Sequence, residues 1–165
     1  MQKNLNLTNK TIIITGSSSG LGLEAAKRIA SLNNTVIIAS RNEKGGRKVE
    51  KEIGKNSYFM QLDVSNKESM DNFVKNFNKK FSKLDILINN AGIMLHPPKK
   101  TEDGTEITFA TNYLGYFYLS LKLIPNLVSS SDPKIINVSS ISSYHIDKIN
   151  WDYFNPIKKI SSFKE

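Results

Sequence analysis

The chain has 165 residues, a formal net charge of +8, 39% hydrophobic and 23% charged residues, and no cysteine. That length fits one domain with a sizeable core, and the composition reads as globular and ordered. Disulfides, thiolate metal sites and cysteine nucleophiles are excluded, and the two histidines, His96 and His145, have no ligand-like spacing, so no metal site is expected.

The amino-terminal stretch MQKNLNLTNK is polar and lacks the apolar core of a signal peptide. No run of about 18 apolar residues exists to span a membrane. A cytoplasmic protein with no membrane span is the default expectation. The positive charge is spread along the chain. Its densest run, Lys75, Lys79, Lys80 and Lys83, reads as one solvated helix face. No aromatic-basic interleaving accompanies it, so nucleic acid is not an expected partner.

Strand and helix patterns alternate. TIIIT (Thr11 to Thr15) is a short β-branched run that reads as a buried parallel strand. From Gly20 to Leu32, apolar residues at Leu21, Ala25, Ile29 and Leu32 mark a helix face. TVIIAS (Thr35 to Ser40) is a second strand, Glu43 to Ile53 a charged helix, and SYFMQLDV (Ser57 to Val64) a third strand. Asn66 to Phe81 reads as a helix with Met70, Phe73, Val74 and Phe77 on one side, and LDILINN (Leu84 to Asn90) as a fourth strand. A long helix is predicted from about Thr105 to Val128, its apolar stripe running through Ile107, Ala110, Leu114, Phe117, Leu121, Ile124 and Val128, with Pro125 distorting its last turn. KIINVSS (Lys134 to Ser140) is a fifth strand, and residues 141–165 read as a long loop. Such alternation without a composition break predicts an α/β fold with a doubly wound parallel sheet.

Chemistry-bearing residues gather at the ends of these strands. TGSSSGLG (Thr15 to Gly22) stands between a strand and a helix, where a dinucleotide's phosphates would lie. Gly16 allows a sharp turn, while Gly20 and Gly22 admit the pyrophosphate to the helix amino terminus beside Leu21. Ser17, Ser18 and Ser19 carry hydroxyl donors, and the alternative is a plain glycine-rich turn.

About twenty residues on, an NAD site wants an acid for the ribose hydroxyls. Here Ser40 and Arg41 stand instead, and a guanidinium can pair with a 2′-phosphate and stack on adenine. That favours NADP(H) over NAD(H), unless Arg41 is an ordinary surface arginine. Asp63, before Val64, is placed to accept from the adenine amino group, to begin a turn or to cap the next helix. NNAG (Asn89 to Gly92) offers small residues beside a flat cofactor. Asn112 sits inside a helix, where asparagine is a poor former, and Ser140 stands at the carboxyl end of the fifth strand, on the ligand-binding side of the sheet.

Taken in order, TGxxxGxG, Asp63-Val64, NNAG, the asparagine helix and NVSS resemble the short-chain dehydrogenase/reductase family over Asn9 to Ser140. The segments ASRN (Ala39 to Asn42), DGTE (Asp103 to Glu106) and WDYFN (Trp151 to Asn155) look like its retinol dehydrogenase and WW-domain oxidoreductase branch, which favours NADP(H). The resemblance implies a Rossmann-type domain over residues 1–140. In it Asn90, Ala91 and Gly92 line the cofactor, Ser140 polarises a substrate carbonyl and Asn112 holds a water in a proton relay. It also implies a tyrosine as general acid/base and a lysine four residues later that lowers its pKa.

Tyr144 and Lys148 do spell Y-x-x-x-K, but Tyr144 follows Ser140 by only four positions, in the exit from the strand, and reads as a decoy. Tyr153 has Ile157 at the fourth place, and Lys158 and Lys159 read as solvated. On this reading residues 141–165 lead towards a catalytic helix, and the last strands and helices of the family fold are missing. The implied function is an NADP(H)-dependent oxidoreductase of alcohol or carbonyl substrates, of which this chain is the cofactor-binding part. The alternative is a non-catalytic, truncated dinucleotide-binding or interaction module. Either way the fifth strand reads as an open edge, and the expectation is aggregation, a longer native chain, or a homo-oligomer or other partner that covers it.

Overall fold

The computed structural model describes residues 7–94, 97, 99–141 and 148. Five strands form one parallel sheet: β1 (Thr11–Thr15), β2 (Thr35–Ser40), β3 (Ser57–Gln61), β4 (Ile86–Asn89) and β5 (Lys134–Asn137). Their order is β3-β2-β1-β4-β5. Ile13 pairs with Ile37 on one side and Leu87 on the other. The chain therefore builds outward from β1 in both directions, and a crevice opens past the carboxyl ends of β1 and β4, where such sheets bind ligands.

Helices cover both faces, so the central strands are apolar throughout. Ile12, Ile13 and Ile14 of β1 and Val36, Ile37 and Ile38 of β2 are all fully buried. On one face Ile13, Ile37 and Leu87 pack with Met70, Phe73 and Phe77 of α3 (Lys67–Asn78) and with Leu119, Leu123 and Leu127 of α5 (Gly115–Leu127). On the other, Ile12, Ile14 and Val36 pack with Ala26 and Ala30 of α1 (Gly20–Ala30), and Ile38 with Val49 of α2 (Glu43–Ile53). Asn42 and Asn66 cap α2 and α3 by accepting from Gly45 N and Ser69 N.

The predicted faces of two helices are displaced. In α1 the predicted Ala25 and Ile29 pack partly buried against the core, but the buried line is Gly22, Ala26 and Ala30, and Leu21 is 82% exposed. The long helix is α4 (Ile107–Phe109), a π-helical turn (Ala110–Leu114) and α5 in succession. Its buried line runs through Gly115, Leu119, Leu123 and Leu127, and Phe117 on the predicted stripe is 57% exposed. The cause is close approach. A Cβ on Gly115 would lie 2.3 Å from the Val64 carbonyl oxygen, so this glycine turns the side of Leu119, Leu123 and Leu127 inward and leaves that of Phe117, Leu121 and Ile124 outside. The helix runs through Pro125 and ends at Leu127, near the predicted place.

The two sheet edges differ. At β3 the outward Phe59 amide donates to Glu50 Oε1 at 2.8 Å, which satisfies one donor of that edge. At β5, Ile135 and Ile136 point to opposite faces and are each 45% exposed. With Leu121, Ile124 and Val128 of the neighbouring helix they leave apolar surface on that flank.

The amino end of the sheet is tied by Asp85, which is fully buried. It accepts from Thr11 N at 2.9 Å and from Ser130 Oγ at 2.6 Å, and it pairs with Lys83 Nζ at 3.2 Å. Burial alone would raise its pKa, but the bonds from Ser130, Thr11 and Lys83 outweigh it and hold the carboxyl below its ordinary value. A depressed carboxyl stabilises the fold above its unfolded pKa and loses that contribution as pH falls through the folded value. Asp85→Asn should therefore cost ~2 kcal/mol near neutrality, and urea unfolding should show the gap to the native chain shrinking below about pH 4. A gap that stays constant through acid would contradict this assignment.

Candidate functional site

A cleft of about 460 Å³ opens at the carboxyl ends of the strands. The turn after β1 forms its floor. Gly16 has φ +69°, and a Cβ there would lie 2.9 Å from the Ala91 Cα. One turn on, a Cβ at Gly22 would lie 2.6 Å from the Gly16 carbonyl oxygen and 2.5 Å from Asn90 Nδ2. Both must be glycine for the first turn of α1 to sit against the end of β4. Gly20 opens that helix and Leu21 lines the cleft beside it.

The three serines divide. Ser17 is fully buried and donates inward to the Ile14 carbonyl at 2.7 Å, whereas Ser18 and Ser19 line the cleft. Ser19 is the N-cap residue of α1 but makes no side-chain cap bond, and the first turn carries no acid. Uncapped amides and free hydroxyls beside a glycine cradle suit the pyrophosphate of a dinucleotide. The donor set therefore fits the group that the motif implies.

At the far wall stand Arg41 and Asp63, with Arg41 Nη1 4.0 Å from Asp63 Oδ2. Of the three roles open to Asp63, a turn is formed. Its Oδ1 accepts from Ser65 N at 2.9 Å and Ser65 Oγ at 2.6 Å, while Asn66 is the residue that caps α3. Val64 also lines the cleft, with its backbone pressed against Gly115.

The NNAG segment closes the near wall through a residue that the motif reading passed over. Thr15 Oγ1 accepts from Asn90 N and Ala91 N, both at 2.9 Å, and Asn90 Nδ2 donates to the Thr15 carbonyl at 2.9 Å. Asn89 faces away and donates to Asn137 Oδ1 at 2.8 Å and Ser120 Oγ at 3.1 Å, linking β4 to β5 and α5. Asn90, Ala91 and Gly92 all line the cleft.

Asn112 sits in the π-helical turn and clamps the backbone of one residue on both sides. Its Oδ1 accepts from Ile93 N at 2.9 Å and its Nδ2 donates to the Ile93 carbonyl at 2.8 Å. The side-chain amide is thereby committed to holding the loop after NNAG, which explains an asparagine inside a helix. Thr111, which sequence reading also missed, lines the cleft beside it. Ser140 lies exposed just past β5, outside the cleft lining.

Tyr144, Tyr153, Lys158, Lys159, His96 and His145 lie outside the described residues. Among the described residues no group of three or more His, Asp or Glu is placed to hold a metal, and no helix is long and apolar enough to cross a membrane. Another Y-x-x-x-K pair does occur, Tyr118 and Lys122 on α5. Its tyrosine donates to Asp71 Oδ1 at 2.9 Å, and Lys122 Nζ lies 2.8 Å from the same oxygen. Burial, then the Asp71 bond and charge, raise the Tyr118 pKa, the reverse of what an acid/base tyrosine needs. That cluster joins α3 to α5 and does not line the cleft.

Comparison with known proteins agrees with this geometry. Residues 10–151 match the family model described as short chain dehydrogenase. Retinol dehydrogenase 12 of Homo sapiens is 37% identical over 163 residues, which are 96% of this chain and 51% of that protein. Polyprenol dehydrogenase of Danio rerio is 38% identical over 144 residues, 82% of this chain and 44% of that one. The crystal structure of 3-ketoacyl-(acyl-carrier-protein) reductase from Brucella melitensis, complexed with NADH, superposes with a TM-score of 0.74 at 32% identity, over 90% of this chain and 64% of that chain. The chain spans about half the length of the curated relatives it matches.

The Thr15 stitch can be tested directly. Thr15→Val keeps the shape and strands two amides without an acceptor, at a cost of ~2 kcal/mol. Hydrogen exchange should accelerate selectively at Asn90 and Ala91. Unchanged exchange there would show that the hydroxyl does not hold the segment.

Proposed function

Since the chain belongs to the short chain dehydrogenase family, we propose that it is the cofactor-binding part of an NADP(H)-dependent oxidoreductase of alcohol and carbonyl substrates. The observation that carries the cofactor preference is Arg41. It stands at the end of β2 on the cleft wall, where an NAD site would present an acid. A planar guanidinium there matches a 2′-phosphate and gains nothing from a ribose hydroxyl. Relatives named for retinol and for polyprenol support an alcohol/carbonyl pair as the substrate class.

In this reading the first turn of α1, with Ser18 and Ser19, takes the pyrophosphate. Asn90, Ala91, Gly92 and Val64 form the walls against which the dinucleotide lies. Asn112 fixes the Ile93 backbone and so the lip of the cleft. Ser140, on the carboxyl side of the sheet, donates to the substrate oxygen as charge develops on it. No tyrosine or lysine is among the described residues lining the cleft, and this reading assigns the acid/base pair to none of them. The cofactor, when bound, supplies or accepts hydride.

Arg41→Asp tests the preference. Fluorescence titration with NADPH should show affinity falling roughly 10- to 100-fold, the worth of a lost charge-assisted contact, while NADH binding changes by less than about threefold. Equal losses for both nucleotides would remove Arg41 from the 2′-phosphate site.

A further inference from the structure

Arg41 and Asp63 are the two charged residues among the described residues lining the cleft, and they are paired with each other. The pairing is loose. The 4.0 Å separation lies within Coulombic reach but beyond hydrogen-bond distance. The two partners are not equally mobile. Asp63 is held on three counts, with Oδ1 accepting from Ser65 N and Ser65 Oγ and its own amide donating to Ser69 Oγ. Arg41 has only its carbonyl held, by Gln61 Nε2 at 3.4 Å, and its side chain is 59% exposed. The carboxylate is therefore a fixed charge and the guanidinium is the part free to move.

We infer that Asp63 is a specificity-determining residue, a built-in competitor that holds Arg41 and weakens the cleft's grip on a 2′-phosphate. A nucleotide bearing that phosphate must draw Arg41 away from Asp63 and then sit beside a carboxylate of like charge. A nucleotide with a free 2′-hydroxyl leaves the pair intact. Asp63 thus lowers discrimination between the two forms, and Arg41 raises it. The inference rests on the assignment of Arg41 to the 2′-phosphate, and its test separates the two.

The probes are adenosine 2′,5′-bisphosphate and adenosine 5′-monophosphate, titrated calorimetrically into the full 165-residue chain. The readout is the ratio of their affinities, which cancels any loss common to both. Arg41→Ala should lower that ratio at least about tenfold. Asp63→Asn, which keeps an oxygen for the Ser65 bonds, should raise it about fivefold, as expected for releasing a partly exposed ion pair. Asp63→Ser retains a turn-forming side chain and should move the ratio the same way if Asp63→Asn melts early. A ratio that falls with Arg41→Ala but does not rise with either Asp63 variant overturns the inference and leaves the Arg41 assignment standing. A ratio unmoved by Arg41→Ala overturns both.

Discussion

The site depends on one junction, the stitch between the carboxyl ends of β1 and β4. Parallel neighbours end in the same direction, so their last backbone groups have no strand left to pair with. Thr15 supplies the missing acceptor with its hydroxyl and Asn90 the missing donor with its amide, through three bonds of 2.9 Å. With those ends joined, Gly16 turns away against Ala91 and Gly22 lies against both Gly16 and Asn90. The first turn of α1 is thereby set at the mouth of the crevice with its amides uncapped. A side chain at either glycine, or the loss of the Thr15 hydroxyl, would move the phosphate cradle and the near wall together.

The opposite end of the sheet shows the same logic with a different group. Asp85 joins the start of β1 to Ser130 and Lys83, and does so as a buried anion whose partners outweigh its desolvation. The two ends differ in what they leave free. At Asp85 the buried charge is matched by its neighbours. At the cleft, the Ser19 hydroxyl makes no capping bond and the Arg41 side chain is only loosely paired. Groups that are free in that sense are the ones available to a ligand.

Much of this was legible in the sequence. Strands buried on both faces announce themselves as β-branched runs, and α3 shows its apolar face plainly because Met70, Phe73, Val74 and Phe77 make its contacts. The inward sides of α1 and α5 were less legible: in α1 the predicted Ala25 and Ile29 only flank a line of Gly22, Ala26 and Ala30, and α5 is apolar on two sides, of which the one holding Gly115, Leu119, Leu123 and Leu127 faces inward. The glycine turn and NNAG were recognisable as motifs, but not the use of each side chain. That Ser17 would bond inward, that Thr15 would serve Asn90 and Ala91, and that Asn112 would spend its amide on Ile93 are facts of tertiary placement. The Thr15 and Asn112 bonds join residues 75 and 19 positions apart, which no local pattern encodes, and the Ser17 bond, though only three residues long, depends on the turn that Gly16 makes. Tyr118 and Lys122 carry the converse lesson: correct spacing on a real helix, with chemistry set by Asp71 instead.

The measurement that tests the central claim most directly is amide chemical-shift mapping on addition of NADP+. Shifts should concentrate at Gly16, Ser18, Ser19, Leu21, Gly22, Arg41, Asp63 and Val64, and Asn90 to Ile93, which line the cleft. Shifts centred instead on the basic end of α3, around Lys75, Lys79 and Lys80, would mean that the nucleotide is attracted by net charge alone and that the cleft is not its site.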